Sequence, residues 1–253
     1  DYQQAKVDFN SDSSAFMRQQ EALQSSAISL NRLLSRAELN VPMAVADTSI
    51  NVMVSLSSDD LMKSMLENNA TLQNAQINSN IAKLNYRISA SQTYPYLRMN
   101  AGYGYTLNKY NKGTNLQRGS MGADFGLTLG LNIFDGGNLR RERKNARINI
   151  ENAQLQLSDV EQSVKSDFYD IWQAYQSNLQ ILSLEKENLV TARLNHEIAM
   201  ERYMLGDLSG IEMREAQKSL LDAEERLLTS QYNTKLCEIS LLQISGKISQ
   251  YLQ

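Results

Sequence analysis

Tyr96-Leu97-Arg98-Met99-Asn100-Ala101-Gly102-Tyr103-Gly104-Tyr105-Thr106-Leu107-Asn108 is the first of two runs that decide the fold. A polar interval, Lys109 to Gly119, separates it from Met121-Gly122-Ala123-Asp124-Phe125-Gly126-Leu127-Thr128-Leu129-Gly130-Leu131-Asn132-Ile133. Odd positions in both runs are apolar or aromatic; even positions, Tyr96 apart, are polar or glycine. Successive side chains on a strand point to opposite faces, so the pattern predicts a β-hairpin with one greasy face and one polar or bare face. Each run has about a dozen residues, and a tilted strand crosses a bilayer in roughly 9–11. A lone two-stranded hairpin is marginal in water. What it pairs with is therefore the central question.

The chain has 253 residues, of which 42% are hydrophobic and 21% charged. It lacks the run of about 18 apolar residues that a transmembrane helix needs. A transmembrane strand is not excluded, because alternation keeps mean hydropathy low. A net charge of −3 offers no long-range pull on nucleic acid, and no nucleic-acid partner is expected. One cysteine, Cys237, excludes an internal disulfide and a cysteine-built zinc site. Asp1 falls within helix-like sequence with no signal peptide before it, so the chain reads as cut from a longer polypeptide.

Glycine and proline divide the chain. Nine of the 12 glycines lie between Gly102 and Gly137, and both prolines, Pro42 and Pro95, lie outside the long amphipathic runs. Neither residue occurs in Asn138–Leu205, Ile211–Ser245 or Met43–Tyr94. These are the main helix breakers. The fold class expected is mainly α with a β-hairpin: a long coiled-coil-like helical hairpin joined to a glycine-rich segment of two strands.

Residues 1–34 read as a helix (Phe9, Phe16, Leu23, Leu30), and 35–69 as a connecting region. Within that region Ile50-Asn51-Val52-Met53-Val54 leans to β, and Ser58-Asp59-Asp60 looks like the cap of a short helix. Ala70 to Ser91 is an amphipathic helix within a 70–94 segment, stopped by Pro95, whose predecessor favours extended geometry. The hairpin takes 95–136, leaving through Asp135-Gly136-Gly137. From 137 to 245 a helical hairpin follows, with its tip at 205–211 and a tail at 246–253. The breaker-free 68 residues from Asn138 span roughly 100 Å if helical. Their apolar positions (Leu157, Val160, Val164, Phe168, Ile171, Tyr175, Leu179, Leu182, Leu189) are spaced mostly by three and four, as a coiled-coil seam requires.

A repeat is also visible. Shifting Asp1–Arg36 by 211 onto Glu212–Lys247 aligns Ala5 with Ala216, Ile28 with Ile239, Ser29 with Ser240 and Leu30 with Leu241. Phe9/Leu220, Phe16/Leu227, Leu33/Ile244 and Arg36/Lys247 are conservative pairs. The N-terminal helix thus reads as the last piece of an earlier copy, whose own hairpin lies upstream of Asp1.

The strand-to-helix exit Leu127-Thr128-Leu129-Gly130-Leu131-Asn132-Ile133-Phe134-Asp135-Gly136-Gly137 resembles a motif of the TolC family of outer-membrane efflux and secretion channels. The turn from Arg202-Tyr203-Met204-Leu205-Gly206-Asp207-Leu208-Ser209-Gly210 to Ala216 resembles that family's periplasmic tip. The Pro95 approach and the ending Leu241-Leu242-Gln243-Ile244-Ser245-Gly246 also fit, so the resemblance covers nearly the whole chain. Asn132 stands where members often carry proline, which bears only on a local bend.

The resemblance implies a homotrimer in which a β-barrel sits over a tapering helical tube, in the outer membrane of a Gram-negative-type cell with its helices in the periplasm. Its implied function is passive export, of small molecules or polypeptides, within a tripartite efflux or type I secretion system. Implied partners are a periplasmic adaptor (membrane fusion) protein, an inner-membrane transporter and outer-membrane lipid. Glu212, Glu215 and Asp207 would line the aperture, where a carboxylate ring favours cations. Read without the resemblance, Glu212 and Glu215 are an acidic first turn favoured by the helix dipole, and Asp207 is a turn residue. Leu205, Gly206, Leu208, Ser209 and Gly210 would meet the adaptor. Lipid would face Leu97, Met99, Tyr103, Tyr105, Leu107, Phe125, Leu127, Leu129 and Leu131.

Tyr94, Tyr96, Tyr103, Tyr105 and Tyr110 fit interfacial girdles or ordinary β-rich aromatics. The basic run Arg140, Arg141, Arg143, Lys144, Arg147 fits either a solvated helix face or contact with lipid phosphates. The strand glycines follow the alternation and do not open helices as phosphate loops do. They leave a barrel interior clear or relieve crowding. Cys237 and Trp172 read as core residues. His196 is the only histidine, so no histidine pair or His-based triad forms within the chain; neither enzyme activity nor a cofactor is expected. The rival readings are a soluble coiled-coil scaffold and a membrane-anchored stalk without a pore.

Overall fold

The computed structural model describes residues 2–42, 49–109 and 117–251. It contains, in order, α1 (Tyr2–Leu33), α2 (Ser58–Asn68), α3 (Ala70–Ser91), β1 (Tyr96–Lys109), β2 (Gln117–Gly130), α4 (Asn138–Met204), α5 (Gly210–Ile244) and α6 (Ile248–Tyr251). No helix among the described residues is long and apolar enough to cross a membrane. The predicted class, mainly helical with one antiparallel hairpin, is the class found.

Two compact units divide the chain, Asp1–Ile50 and Asn51–Gln253. In the first, α1 leaves Phe9, Phe16 and Leu23 about 70% exposed, and Leu30 about 40%. These four residues are seven apart, the period of a coiled-coil seam. Their counterparts at the 211-residue offset, Leu220, Leu227, Thr234 and Leu241, are wholly or partly buried on α5. The two helices also end alike. Leu34, Ser35 and Arg36 donate to the carbonyls of Leu30, Arg32 and Asn31. Ser245, Gly246 and Lys247, each 211 later, donate to Leu241, Gln243 and Leu242. Both caps pass through the left-handed region, at Ser35 (φ 52) and Gly246 (φ 71). The repeat read from the sequence is therefore also a repeat of cap geometry.

The second unit is organised by α4. Phe168, Tyr175, Leu182 and Leu189, spaced by seven, are all buried. Against them α5 presents smaller buried side chains, Ala223, Ser230 and Thr234, so large knobs meet small holes. The main core gathers Leu61, Met65, Leu72, Val164, Phe168, Tyr175, Leu241 and Leu242, with Trp172 and Cys237 partly buried against it. Phe168 and Trp172 stack with ring centroids 6.5 Å apart.

Polar contacts pin the α2–α3 junction onto the end of α5. Asn69 caps α3 by accepting from the Leu72 N–H at 3.0 Å, and its amide donates to the Ile244 carbonyl at 2.9 Å. Ser64 Oγ donates to the Ser245 carbonyl at 3.0 Å. A Cβ on Gly246 would lie 2.8 Å from Asn68 Cβ and 2.9 Å from the Asn68 carbonyl oxygen. That close approach requires glycine independently of φ.

Two local readings are corrected. The cap of α2 is Ser57, not Ser58; its hydroxyl accepts from the Asp60 N–H at 3.4 Å. Residues 51–57 contain no strand, despite their β-leaning composition. Within the 246–253 segment lies the short helix α6, where Ile248 packs against the core.

Candidate functional site

Three places carry the sequence-predicted site residues or join them: the hairpin wall, a strap across the helices, and the α4–α5 tip.

The hairpin register pairs Leu97 with Leu129, Met99 with Leu127, Ala101 with Phe125, Tyr103 with Ala123 and Tyr105 with Met121. All apolar partners thus share one face. Every residue predicted to face lipid is between 49% and 74% exposed. Among the described residues of the same unit, no helix packs extensively on the hairpin. The other face pairs Arg98 with Thr128, Asn100 with Gly126, Gly102 with Asp124 and Thr106 with Ser120. Its glycines play two parts. Asn100, Asp124 and Tyr96 lie across Gly126, Gly102 and Gly130, occupying the space a Cβ would need. Gly104 and Gly122 pair with each other, and nothing approaches either within 4 Å. One bare window thus interrupts an otherwise polar face. Tyr96 belongs to this polar face, with the Arg98 guanidinium 5.7 Å from its ring centre. Tyr94 stands at the base of the hairpin, and Tyr110 lies outside the described residues.

The hairpin hands over to α4 through Asp135-Gly136-Gly137. Both glycines have positive φ, 71 and 82. Asp135 reaches forward to accept from the Gly137 N–H at 3.0 Å and the Leu139 N–H at 2.6 Å. One carboxylate therefore satisfies two otherwise orphaned donors beside the helix dipole. This accounts physically for the exit motif.

The strap, residues 51–57, was missed by the sequence reading. Its backbone polar groups find side chains rather than a ladder. Glu238, fully buried on α5, accepts from the Met53 N–H at 2.9 Å and from Lys235 Nζ at 2.7 Å. Lys235 Nζ also donates to the Asn51 carbonyl at 2.7 Å. The Tyr175 hydroxyl, from α4, donates to the Met53 carbonyl. Burial, and then the Glu238 carboxylate, push the Tyr175 phenol above its usual value, while Lys235 acts in the opposite direction. A buried glutamate four residues before a core leucine was the available signal. In the sequence it resembles an ordinary solvated helix charge.

At the tip, α4 closes with the Gly206 and Asp207 N–H groups donating to the Tyr203 and Arg202 carbonyls, Gly206 having φ 79. Arg202 Nε and Asp207 Oδ2 pair at 3.2 Å. Ser209 and Glu212 form a reciprocal capping box: Glu212 Oε2 accepts from the Ser209 N–H at 3.0 Å and its hydroxyl at 2.7 Å. Those bonds hold the Glu212 carboxyl below its usual range, the hydroxyl contributing first. Of the acids predicted at the aperture, Asp207 and Glu212 thus have local structural partners, and Glu215 is exposed on the next turn. Leu205 is 83% exposed, whereas Leu208 is half-buried. Met204 and Ile211 extend the apolar tip beyond the residues predicted.

A long antiparallel helical pair joined to a lipid-length hairpin, apolar on one face and polar on the other, defines the wall element of an outer-membrane channel. Residues 61–247 match the family described as Outer membrane efflux protein, and the chain belongs to that family. The outer membrane protein TolC of Vibrio cholerae is 25% identical over 200 residues, covering 77% of this chain and 44% of that protein. TolC of Escherichia coli is 21% identical over 198 residues, covering 75% and 40%. The chain therefore spans less than half the length of these relatives. Among solved structures, the Vibrio cholerae outer membrane protein VceC superposes with a TM-score of 0.71 at 19% identity, over 96% of this chain and 57% of its own. The open state of the Neisseria gonorrhoeae MtrE outer membrane channel gives 0.73 at 15%, over 94% and 54%. These likenesses match the predicted fold, and the family is one of outer-membrane channels rather than enzymes.

Proposed function

We propose that the chain forms part of a passive export conduit: a homotrimeric outer-membrane tube coupled through a periplasmic adaptor to an inner-membrane transporter, as in tripartite efflux or type I secretion. The observation that carries this reading is the hairpin register. It gathers the apolar and aromatic strand residues, Tyr96 apart, on one uncovered face and gives the opposite face polar groups and a bare glycine window. A lipid-facing side and a water-facing side are what a barrel wall needs.

The helices support the same reading. On α3, Ile77, Ile81, Leu84 and Ile88 form a second apolar stripe, each about half exposed. A helix with two seams is built to pack between two neighbours, as in a closed helical tube. Gating is assigned to splaying of the α4–α5 pair around Gly206–Gly210, with Glu215, Glu212 and Asp207 at the aperture and Leu205, Gly206, Leu208, Ser209 and Gly210 towards the adaptor.

Full-length protein in planar bilayers is expected to give discrete single-channel conductance. Assembled, inserted protein that conducts nothing would favour the stalk, and detergent-independent solubility would favour the scaffold. Glu215→Gln is expected to weaken cation preference; unchanged selectivity in the Glu212→Gln, Glu215→Gln double variant would remove the aperture assignment.

A further inference from the structure

We propose that the first three turns of α4 form a binding face for the phosphate headgroups of anionic phospholipid, resting on the channel reading above. Arg140, Arg143, Lys144 and Arg147 stand at i, i+3, i+4 and i+7, so all four project from one helical face. All four are exposed. The stripe that packs inward, with Leu139 and Ile150 half-buried and Ala146 buried, lies about a quarter-turn away. The basic face is therefore not used by this chain's own core.

Local carboxylates do not neutralise it. Asp135 is committed to capping α4, at 2.6 Å from the Leu139 N–H. Glu142 accepts from the Asn138 amide at 3.2 Å, on a different side of the helix. Only Arg147 has an acidic partner among the described residues, Glu151 at 3.8 Å, and both side chains are more than 60% exposed. Such a pair is worth little. The neighbouring helix α3 contains no Asp or Glu at all, but has Lys83 and Arg87. A chain of net charge −3 has thus concentrated its cations beside the hairpin.

Position identifies the anion. Ile133 and Phe134, 91% and 85% exposed, join the apolar face of β2 to α4 and are the most exposed large apolar residues described. Asp135, Gly136 and Gly137 follow, and the basic face begins three residues after Gly137. Headgroups occupy roughly 5–8 Å on each side of the hydrocarbon core, and about two helical turns cover that depth. Exposed apolar residues followed, after a short Asp-Gly-Gly turn, by a basic helix face are the arrangement that meets a lipid core and then its phosphates. Arginine adds bidentate phosphate geometry, which favours headgroups over dispersed counterions.

The test uses full-length protein in neutral detergent, with thermal unfolding followed as mixed micelles deliver phosphatidylglycerol or phosphatidylcholine. Phosphatidylglycerol is expected to raise the unfolding midpoint, phosphatidylcholine to leave it in place, and 0.5 M salt to reduce the rise. The R140Q/R143Q/K144Q/R147Q variant is expected to lose that rise while keeping single-channel conductance. Conductance separates failure of this proposal from failure of the channel reading. The charge-preserving R140K/R143K/R147K variant is expected to retain most of the rise, and K186Q/K218Q, far along the hairpin, all of it. If the quadruple variant does not assemble, salt dependence in the parent and the lysine variant decides. A phosphatidylglycerol effect that is salt-independent, or undiminished in the folded quadruple variant, overturns the proposal. Equal stabilisation by inorganic phosphate also overturns it, identifying a small-anion site instead.

Discussion

Glu238 accepts a hydrogen bond from the backbone N–H of Met53, 185 positions earlier in the chain, at 2.9 Å. Its other oxygen holds Lys235 Nζ at 2.7 Å. A fully buried carboxylate thus closes the connecting strap onto α5. Glu238→Ala leaves the Met53 N–H unsatisfied and takes the carboxylate from Lys235, which keeps the Asn51 carbonyl, and breaking a buried pair from one side costs about 3–5 kcal/mol. Glu238→Gln keeps an acceptor for Met53 and is expected to cost less. Urea midpoints of the two variants, at matched protein and detergent concentration, check the order.

Tyr175 secures the same strap from α4, donating to the Met53 carbonyl. Tyr175→Phe leaves that carbonyl unpartnered, at a cost of about 1–3 kcal/mol. The pH dependence has a definite sign. Burial holds the folded phenol's pKa above its usual value of 10.0, so the unfolded chain loses the proton first. The stabilisation is complete below the unfolded value and is lost as pH rises through the folded one. The stability gap between parent and Tyr175→Phe is therefore expected to be flat to about pH 9 and to shrink above about pH 10. A gap that stays constant to higher pH would contradict the assigned environment.

At the tip the sign is reversed. The Ser209 bonds lower the Glu212 pKa from its usual 4.5, so their stabilisation is present above that value and is lost as pH falls through the folded one. Amide protection in the first turn of α5, taken relative to the intrinsic exchange rate at each pH, is expected to be higher at neutral pH and to fall below the ordinary glutamate range. Ser209→Ala removes the cap at about 1 kcal/mol and should give the lower protection already at neutral pH. Equal protection in both proteins would show the box to be idle.

Ser35 and Gly246 occupy the same cap position 211 residues apart, with φ 52 and 71. A side chain there costs roughly 1–2 kcal/mol in the left-handed region. Ser35→Gly is expected to stabilise by up to about 1 kcal/mol, glycine's greater unfolded-state entropy taking back part of the gain. Gly246→Ala is expected to cost more than Gly206→Ala. Both have positive φ, but only Gly246 meets a neighbouring backbone oxygen, at 2.9 Å, and Gly206 faces open space. Thermal midpoints of the three variants rank them.

The elements governed by local rules were legible in the sequence. Helix α3 runs from Ala70 to Ser91, where periodicity and Pro95 placed it, and the odd–even alternation of 97–107 and 121–129 predicted the pairing found. The Gly206–Gly210 segment likewise announced the turn. The strap was not legible. Val52, Met53 and Val54 have β propensity, but the backbone groups of Asn51 and Met53 are met by Lys235, Tyr175 and Glu238, contacts no local window contains. Nor was the division among hairpin glycines visible until the register set Gly126 opposite Asn100 and Gly104 opposite Gly122. The acidic tip residues illustrate a different limit. Glu212 and Glu215 are one turn apart in sequence, yet Glu212 is turned back to Ser209, whose capping-box spacing the reading of the acidic pair passed over.

The central claim is that the hairpin separates lipid from water. Its most direct test is nitroxide scanning of residues 97–107 in full-length protein carrying Cys237→Ser and reconstituted in vesicles. Accessibility to oxygen is expected to peak at Leu97, Met99, Ala101, Tyr103, Tyr105 and Leu107, and accessibility to a water-soluble nickel chelate at the positions between them. Out-of-phase alternation of period two is the result expected of a barrel wall. Uniform access to the nickel chelate at every position, in protein that is folded and membrane-bound, would contradict it.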